Sequence, residues 1–361
     1  MIADPSVQTS CFLLAWCGDH DVDQHGHRIG RAHDHVCGIR IDKGFDVTRK
    51  GLGLCQMHAI GWPAMHRAAR ILGAVACLAL VACAAPRSAQ PPASPMIVLA
   101  GDAAHARDLV VVIPGALTSV HAYDAYPLAA GAALVGYRFP GLDGRPRDGN
   151  VRIVQAGAEI AAFVNAHAPA RVRLIGMSTG GPIALEAARR IHGPRVEVAI
   201  LSSALPSPAT VVATVTGLSD IADAVGRAGT AERVEVFGEY YRTLLYGRGH
   251  YRNPALAAHS ARIALAIKNR LRLPGEGITR SHGANLLTWT LHHPEELSHA
   301  RILFLHGGQD PVFPANGVRR LAARLPQAKV ILYPLSGHLL LATEPGVYAD
   351  MEAAFRGWGR K

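Results

Sequence analysis

Three residues in this chain are of the types that together cleave acyl bonds: Ser178, Asp310 and His338. Ser178 stands in Gly176-Met177-Ser178-Thr179-Gly180, directly after the strand-like run Arg171-Val172-Arg173-Leu174-Ile175 and ahead of a helix opened by Pro182. A serine on a tight strand-to-helix turn is pushed out of the packed layers. Flanking glycines let neighbouring backbone pass where a Cβ would not fit. The following helix aims its N-terminal amides and positive dipole end at any oxygen that becomes negative there. The five-residue pattern alone is weak in a chain with 37 glycines. Its place between strand and helix makes it specific.

A serine hydroxyl attacks a carbonyl only when a base takes its proton, and the base works best when a third group fixes its tautomer. Asp310 lies in His306-Gly307-Gly308-Gln309-Asp310-Pro311-Val312, after the run Arg301-Ile302-Leu303-Phe304-Leu305. His338 lies in Leu335-Ser336-Gly337-His338, after Val330-Ile331-Leu332-Tyr333. Singly, an aspartate before proline starts a turn and a histidine after glycine is a loop residue. Jointly, the order Ser, Asp, His, each just past a strand, is the order that an acyl-transfer triad at a sheet edge requires. Asp310 is expected to orient His338, and His338 to take the proton of Ser178. The oxyanion needs backbone donors. One is expected at Thr179, the other in the loop after Leu109–Ile113, where Ala116 is the first choice and Leu117 the second.

The elements that must position these residues alternate. Leu109-Val110-Val111-Val112-Ile113 is a continuous β-branched run, as a strand buried on both faces requires. Ala133–Tyr137, Arg171–Ile175, Val196–Leu201, Arg301–Leu305 and Val330–Tyr333 continue the series. Helical sequence is expected around Ser119–Ala130, over residues 151–167, from Pro182 to His192 with Gly193 just past its end, and from about Pro345 to Trp358. Strands alternating with helices predict a parallel, doubly wound α/β sheet. Between about residues 205 and 299 the strand pattern stops and helices are expected, Asn253 capping one that starts at Pro254 with Leu256, Ile263 and Ile267 on one face.

On these motifs the chain resembles the α/β-hydrolase superfamily over about residues 97–358. The resemblance is carried by Ile113-Pro114-Gly115-Ala116, the Tyr137–Gly144 loop, Gly176–Gly181, Gly308-Gln309-Asp310-Pro311-Val312 and Ser336-Gly337-His338. It implies a mostly parallel sheet with a helical cap at about 205–299 that shapes substrate choice. Where the superfamily often has His-Gly, this chain has Pro114-Gly115. A serine at the turn argues against the dehalogenases of this superfamily, which carry aspartate there. Phe237, Tyr240, Tyr241, Leu244, Leu245 and Tyr246 are candidates for an acyl pocket, although aromatic stripes more often pack one layer on another.

The composition is globular, with 49% hydrophobic and 18% charged residues over 361. Lys+Arg 37 against Asp+Glu 27 leaves +10, but the arginines are scattered and form no stripe, so nucleic acid is not an expected partner. Met65-His66-Arg67-Ala68-Ala69-Arg70 is a short positive segment followed by an apolar run from Ile71 to Ala82, ending Leu80-Val81-Ala82-Cys83. That run is shorter than the ~20 residues a bilayer span needs but fits a secretory signal. The small residues before Cys83 resemble a bacterial lipobox, which implies signal peptide at 65–82, acylation of Cys83, a tether at 83–95, a hydrolase domain at 96–361, and a site in the cell envelope on a lipid anchor. All six cysteines lie at or before Cys83, so the later domain has no disulfide. Residues 1–64 then read as a spurious extension. His25, His27, His33, His35 and Cys37 are close together but match no metal-ligand spacing.

No metal or cofactor is expected: Gly307-Gly308 leads into no dinucleotide pattern, and His282, His292 and His293 have no partner at ligand spacing. The expected activity is cleavage of carboxylic esters, lipid esters or thioesters included, by an acyl-enzyme route. The alternatives are an amide or peptide hydrolase of the same fold and a non-catalytic binding lipoprotein.

Overall fold

β-Branched runs set the sheet of this computed structural model, which describes residues 94–147, 150–205, 220, 223–229, 232–267 and 289–358. All of these lie in the unit Pro91–Lys361. The signal-like segment, Cys83, most of the tether, residues 1–64, residues 206–219 and 268–288 of the cap, and His282 lie outside the described residues.

Seven strands form one sheet: β1 Met96–Ala100, β2 Asp108–Ile113, β3 Ala132–Tyr137, β4 Arg171–Met177, β5 Arg195–Leu201, β6 Arg301–Gly307 and β7 Lys329–Tyr333. Their spatial order is β1-β3-β2-β4-β5-β6-β7. All neighbours pair in parallel except β1, which lies antiparallel on β3 with Met96 opposite Tyr137. The two-residue period of a strand divides the core between two faces. Leu109, Val111 and Ile113 of β2 enter one apolar cluster, and Val110 and Val112 enter the other. This is the predicted doubly wound α/β arrangement, with β1 added at the edge.

Seven labelled helices cover or overhang the sheet: α1 Ile153–His167, α2 Gly180–Ala188, α3 Arg233–Tyr246, α4 Pro254–Ile267, α5 Ala315–Ala323, α6 Leu340–Thr343 and α7 Val347–Arg356. α1 and α2 contribute to the first cluster, and Val347, Met351 and Phe355 of α7 to the second. Asn253 caps α4 as expected, its Oδ1 accepting from Ala255 N at 3.1 Å and Leu256 N at 3.3 Å.

Two helical expectations need correction. The segment 119–130 holds only a 3-10 turn, Val120–Tyr123. Pro127 has no N–H to give a helix and pushes the residue before it out of helical geometry. The helix after the serine runs Gly180–Ala188, opening two residues before Pro182 and stopping short of His192. The closing stretch expected at about Pro345 to Trp358 is the single helix α7, and the short α6 precedes it across Glu344, Pro345 and Gly346.

Candidate active site

The turn at Ser178 is strained by construction. Ser178 has φ +50°, in the left-handed region that costs a non-glycine residue about 1–3 kcal/mol. Its N–H donates to Leu201 O at 2.9 Å, which clips the turn to β5. Both flanking glycines are required by close approach. A Cβ on Gly176 would sit 2.3 Å from Gly180 O, and one on Gly180 would sit 2.2 Å from Ile113 O. Ser178 therefore stands at the C-terminal edge of the sheet, 8% exposed, at the start of α2.

Asp310 and His338 reach the same edge from β6 and β7. The register that places Leu201 beside Leu305, and Gly307 beside Tyr333, sets their loops next to the turn at Ser178. The loops are stitched together: Gly308 N donates to Tyr333 O at 2.7 Å and Gln309 N to Ser336 O at 2.9 Å. The Asp310 side chain is fully buried. Its Oδ1 accepts from Val312 N at 2.8 Å and Phe313 N at 2.9 Å, and its Oδ2 accepts from His338 Nδ1 at 2.9 Å. A carboxylate only accepts, so His338 carries hydrogen on Nδ1 and leaves Nε2 as the basic nitrogen. Among the described residues no hydrogen bond joins Ser178 Oγ to the His338 ring. In unliganded sites such contacts are often long and tighten with substrate.

Pro114-Gly115-Ala116 lies against the serine, since a Cβ on Gly115 would be 3.1 Å from Ser178 Cβ. Among the described residues neither Thr179 N–H nor Ala116 N–H has a hydrogen-bond partner. Two such donors flanking Ser178 suit an oxyanion. Leu117, the second choice, occupies φ +63° in a turn closed by Thr118 N donating to Gly115 O at 3.1 Å. The loop is anchored from behind by Asp143, whose carboxylate accepts from Ser119 Oγ at 2.5 Å and Val120 N at 3.0 Å. Asp143 lies within the Tyr137–Gly144 motif, but sequence spacing did not reveal this anchoring role.

The cap holds the histidine loop through its backbone. The last carbonyls of a helix have no partner within it. At the end of α3, Leu245 O accepts from Gly337 N and Leu244 O from His338 N, both at 2.7 Å. Arg248 binds Asp220 with two 2.7 Å bonds, from Nε to Oδ1 and from Nη2 to Oδ2. Burial, with the charge of Asp220 adding to it, pushes the Tyr240 hydroxyl up to about 12. Leu245 and Tyr246 are buried packing residues, whereas Phe237, Tyr240, Tyr241 and Leu244 are only half-buried. His292 and His293 are exposed, His292 Nε2 bonding Thr290 Oγ1 and His293 pairing with Glu295. Among the described residues no group of three His, Cys, Asp or Glu is placed to hold a metal ion.

The family model of the alpha/beta hydrolase fold matches residues 108–345. No curated protein matches the sequence. Solved structures share the fold at low identity. A thermophilic esterase from Thermogutta terrifontis is 18% identical with a TM-score of 0.50, over 69% of this chain and 89% of its own. A membrane phospholipase A described as a bacterial virulence factor is 17% identical with a TM-score of 0.51, over 81% and 100%. MenH from S. aureus is 17% identical with a TM-score of 0.51, over 72% and 96%. With six of the seven strands, the serine turn and the capped edge inside the matched span, this chain belongs to the alpha/beta hydrolase fold family.

Proposed function

We propose that the protein hydrolyses carboxylic esters, thioesters and lipid esters included, through an acyl-enzyme formed on Ser178. The observation that carries this reading is the buried 2.9 Å Asp310–His338 pair at the sheet edge that also presents the strained Ser178. His338 Nε2 takes the hydroxyl proton as Ser178 Oγ attacks the ester carbonyl carbon. Asp310 Oδ2 holds the imidazolium that forms, and the N–H groups of Thr179 and Ala116 receive the negative oxygen. Collapse expels the alcohol, which leaves with the proton from His338. A water molecule, deprotonated in its turn by His338, frees the acid and restores the serine. Half-buried Phe237, Tyr240, Tyr241 and Leu244 are the cap residues available to line an acyl pocket. The reading calls for no metal and no cofactor, and its partners are small esters or lipids rather than nucleic acid.

The same proposal places the protein in the cell envelope of a bacterium, on a lipid anchor at Cys83. What supports it is the order in the sequence of positive segment, apolar run and small residues before that cysteine. Ser178→Ala, assayed on p-nitrophenyl esters of increasing acyl length and by fluorophosphonate labelling, tests the catalytic part. Loss of both signals is expected, and wild-type hydrolysis by the variant refutes the proposal. Cys83→Ser should release the protein from the membrane fraction; unchanged fractionation refutes the anchor.

A further inference from the structure

One buried titratable side chain beside this site has no part in the chemistry above. His306, the penultimate residue of β6, is wholly buried. Its Nε2 lies 2.8 Å from Phe313 O. A carbonyl only accepts, so that nitrogen carries the ring hydrogen. Nδ1 is buried with no hydrogen-bond partner. Burial pushes the pKa down, which keeps the ring neutral, while the charged or titratable groups facing it are Asp310 and His338. An imidazole with an orphaned nitrogen is a costly filling for a strand whose neighbours are Phe304 and Leu305, where an aliphatic residue would pack without that cost.

What the ring touches explains its presence. Phe313 contacts both members of the Asp310–His338 pair. Its N–H donates to Asp310 Oδ1 at 2.9 Å, and its ring stacks on His338 with centroids 5.9 Å apart. His306 Nε2 is also 3.8 Å from Asp310 Oδ2, the oxygen that holds His338. We propose that His306 is a positioning residue: by fixing Phe313 it sets the Asp310 turn from below and the His338 ring from the side. This rests on the ester-hydrolase reading, because it assigns His306 a role in orienting the base of that reaction.

The test compares His306→Phe, which keeps the ring volume but has no donor, with His306→Gln, whose side-chain amide can still reach the Phe313 carbonyl. Both are made in the full chain and assayed on p-nitrophenyl butyrate across pH. In His306→Phe, kcat should fall about 10- to 100-fold, the cost of a small misplacement, with KM within about twofold. The acid limb of kcat/KM should move to lower pH as the imidazolium loses its support, and His306→Gln should recover most of the loss. Equal activity of the two variants, or an unmoved acid limb in His306→Phe, overturns the proposal. Nitrogen-15 histidine NMR on the wild type tests it without a variant. A neutral Nε2–H ring at residue 306 from about pH 5 to 8 supports the role, and the other tautomer or a titrating ring overturns it. If wild-type Ser178 takes no fluorophosphonate label, the ester-hydrolase reading fails instead, a result distinct from labelled enzyme indifferent to residue 306.

Discussion

Replacing Asp310 by asparagine should uncouple catalysis from folding, and the hydrogen bonds of its carboxylate say by how much. Oδ1 accepts two backbone N–H groups and Oδ2 accepts His338 Nδ1–H. In Asp310→Asn the amide oxygen must stay with the two backbone donors, so the NH2 group turns towards His338. The imidazole can then only accept at Nδ1, and its hydrogen moves to Nε2, the nitrogen that must be bare to take the serine proton. A wrong tautomer in otherwise intact geometry costs about 10⁴ in kcat, or about 5.5 kcal/mol of transition-state stabilisation. Stability should change by no more than about 1 kcal/mol, because both backbone donors keep an acceptor. Asp310→Ala removes that acceptor too. It should unfold at lower urea, by about 1–3 kcal/mol for each N–H left buried without a partner. The assay is kcat on p-nitrophenyl butyrate with urea unfolding followed by circular dichroism. Asp310→Asn retaining more than about a tenth of wild-type kcat would refute the tautomer argument. Equal stability of the two variants would refute the role of the backbone donors.

Three further outcomes follow from the same structure. Arg173 donates to buried Glu197 Oε2 from Nε at 3.1 Å and Nη2 at 2.7 Å, so Arg173→Met should cost about 3–5 kcal/mol in urea unfolding. Adding Glu197→Leu should recover much of it, and a double variant weaker than the single one refutes the account. In Gly180→Ala the new Cβ meets Ile113 O and Pro114 O at 2.2 and 2.8 Å. The backbone must therefore shift at the oxyanion loop, at a cost of about 3 kcal/mol or more with a fall in kcat; an active, equally stable variant would show that the approach is not tight. Finally, burial holds the pKa of His306 below its ordinary value. As pH falls below about 6.5 the unfolded chain takes a proton that the folded one does not, so this group's contribution is full above that pH and is lost below it. Between pH 7.5 and 5.5 (at up to about 1.4 kcal/mol per unit) wild type should lose more stability than His306→Gln, and parallel losses in urea titrations refute it.

The parallel core of the sheet was legible because its central strands are buried on both faces, which demands the apolar, β-branched run seen at Leu109–Ile113. β1 was missed: Met96–Ala100 is a half-exposed edge strand whose identity comes from pairing with β3, a partner far along the chain. The expected helix at 119–130 fails on Pro127 and on the tie between Ser119 and Asp143, 24 residues apart. Ser178, Asp310 and His338 are candidates from order and from position after strands, and the structure joins Asp310 to His338 by a 2.9 Å hydrogen bond. His306 was read only as part of the loop bearing Asp310, because nothing in His-Gly-Gly-Gln-Asp reveals that the imidazole turns inward onto Phe313 O.

Local chemistry alone determined the doubly wound class, the serine turn and the pair of residues able to serve it, since strand burial, glycine spacing and residue order are properties of short segments. Tertiary structure alone decided the hydrogen on His338 Nδ1, the unpaired amides of Ala116 and Thr179, and the grip of the α3 carbonyls on the histidine loop. Each of these depends on groups far apart in the chain, and its geometry exists only once the sheet has brought their strands into register.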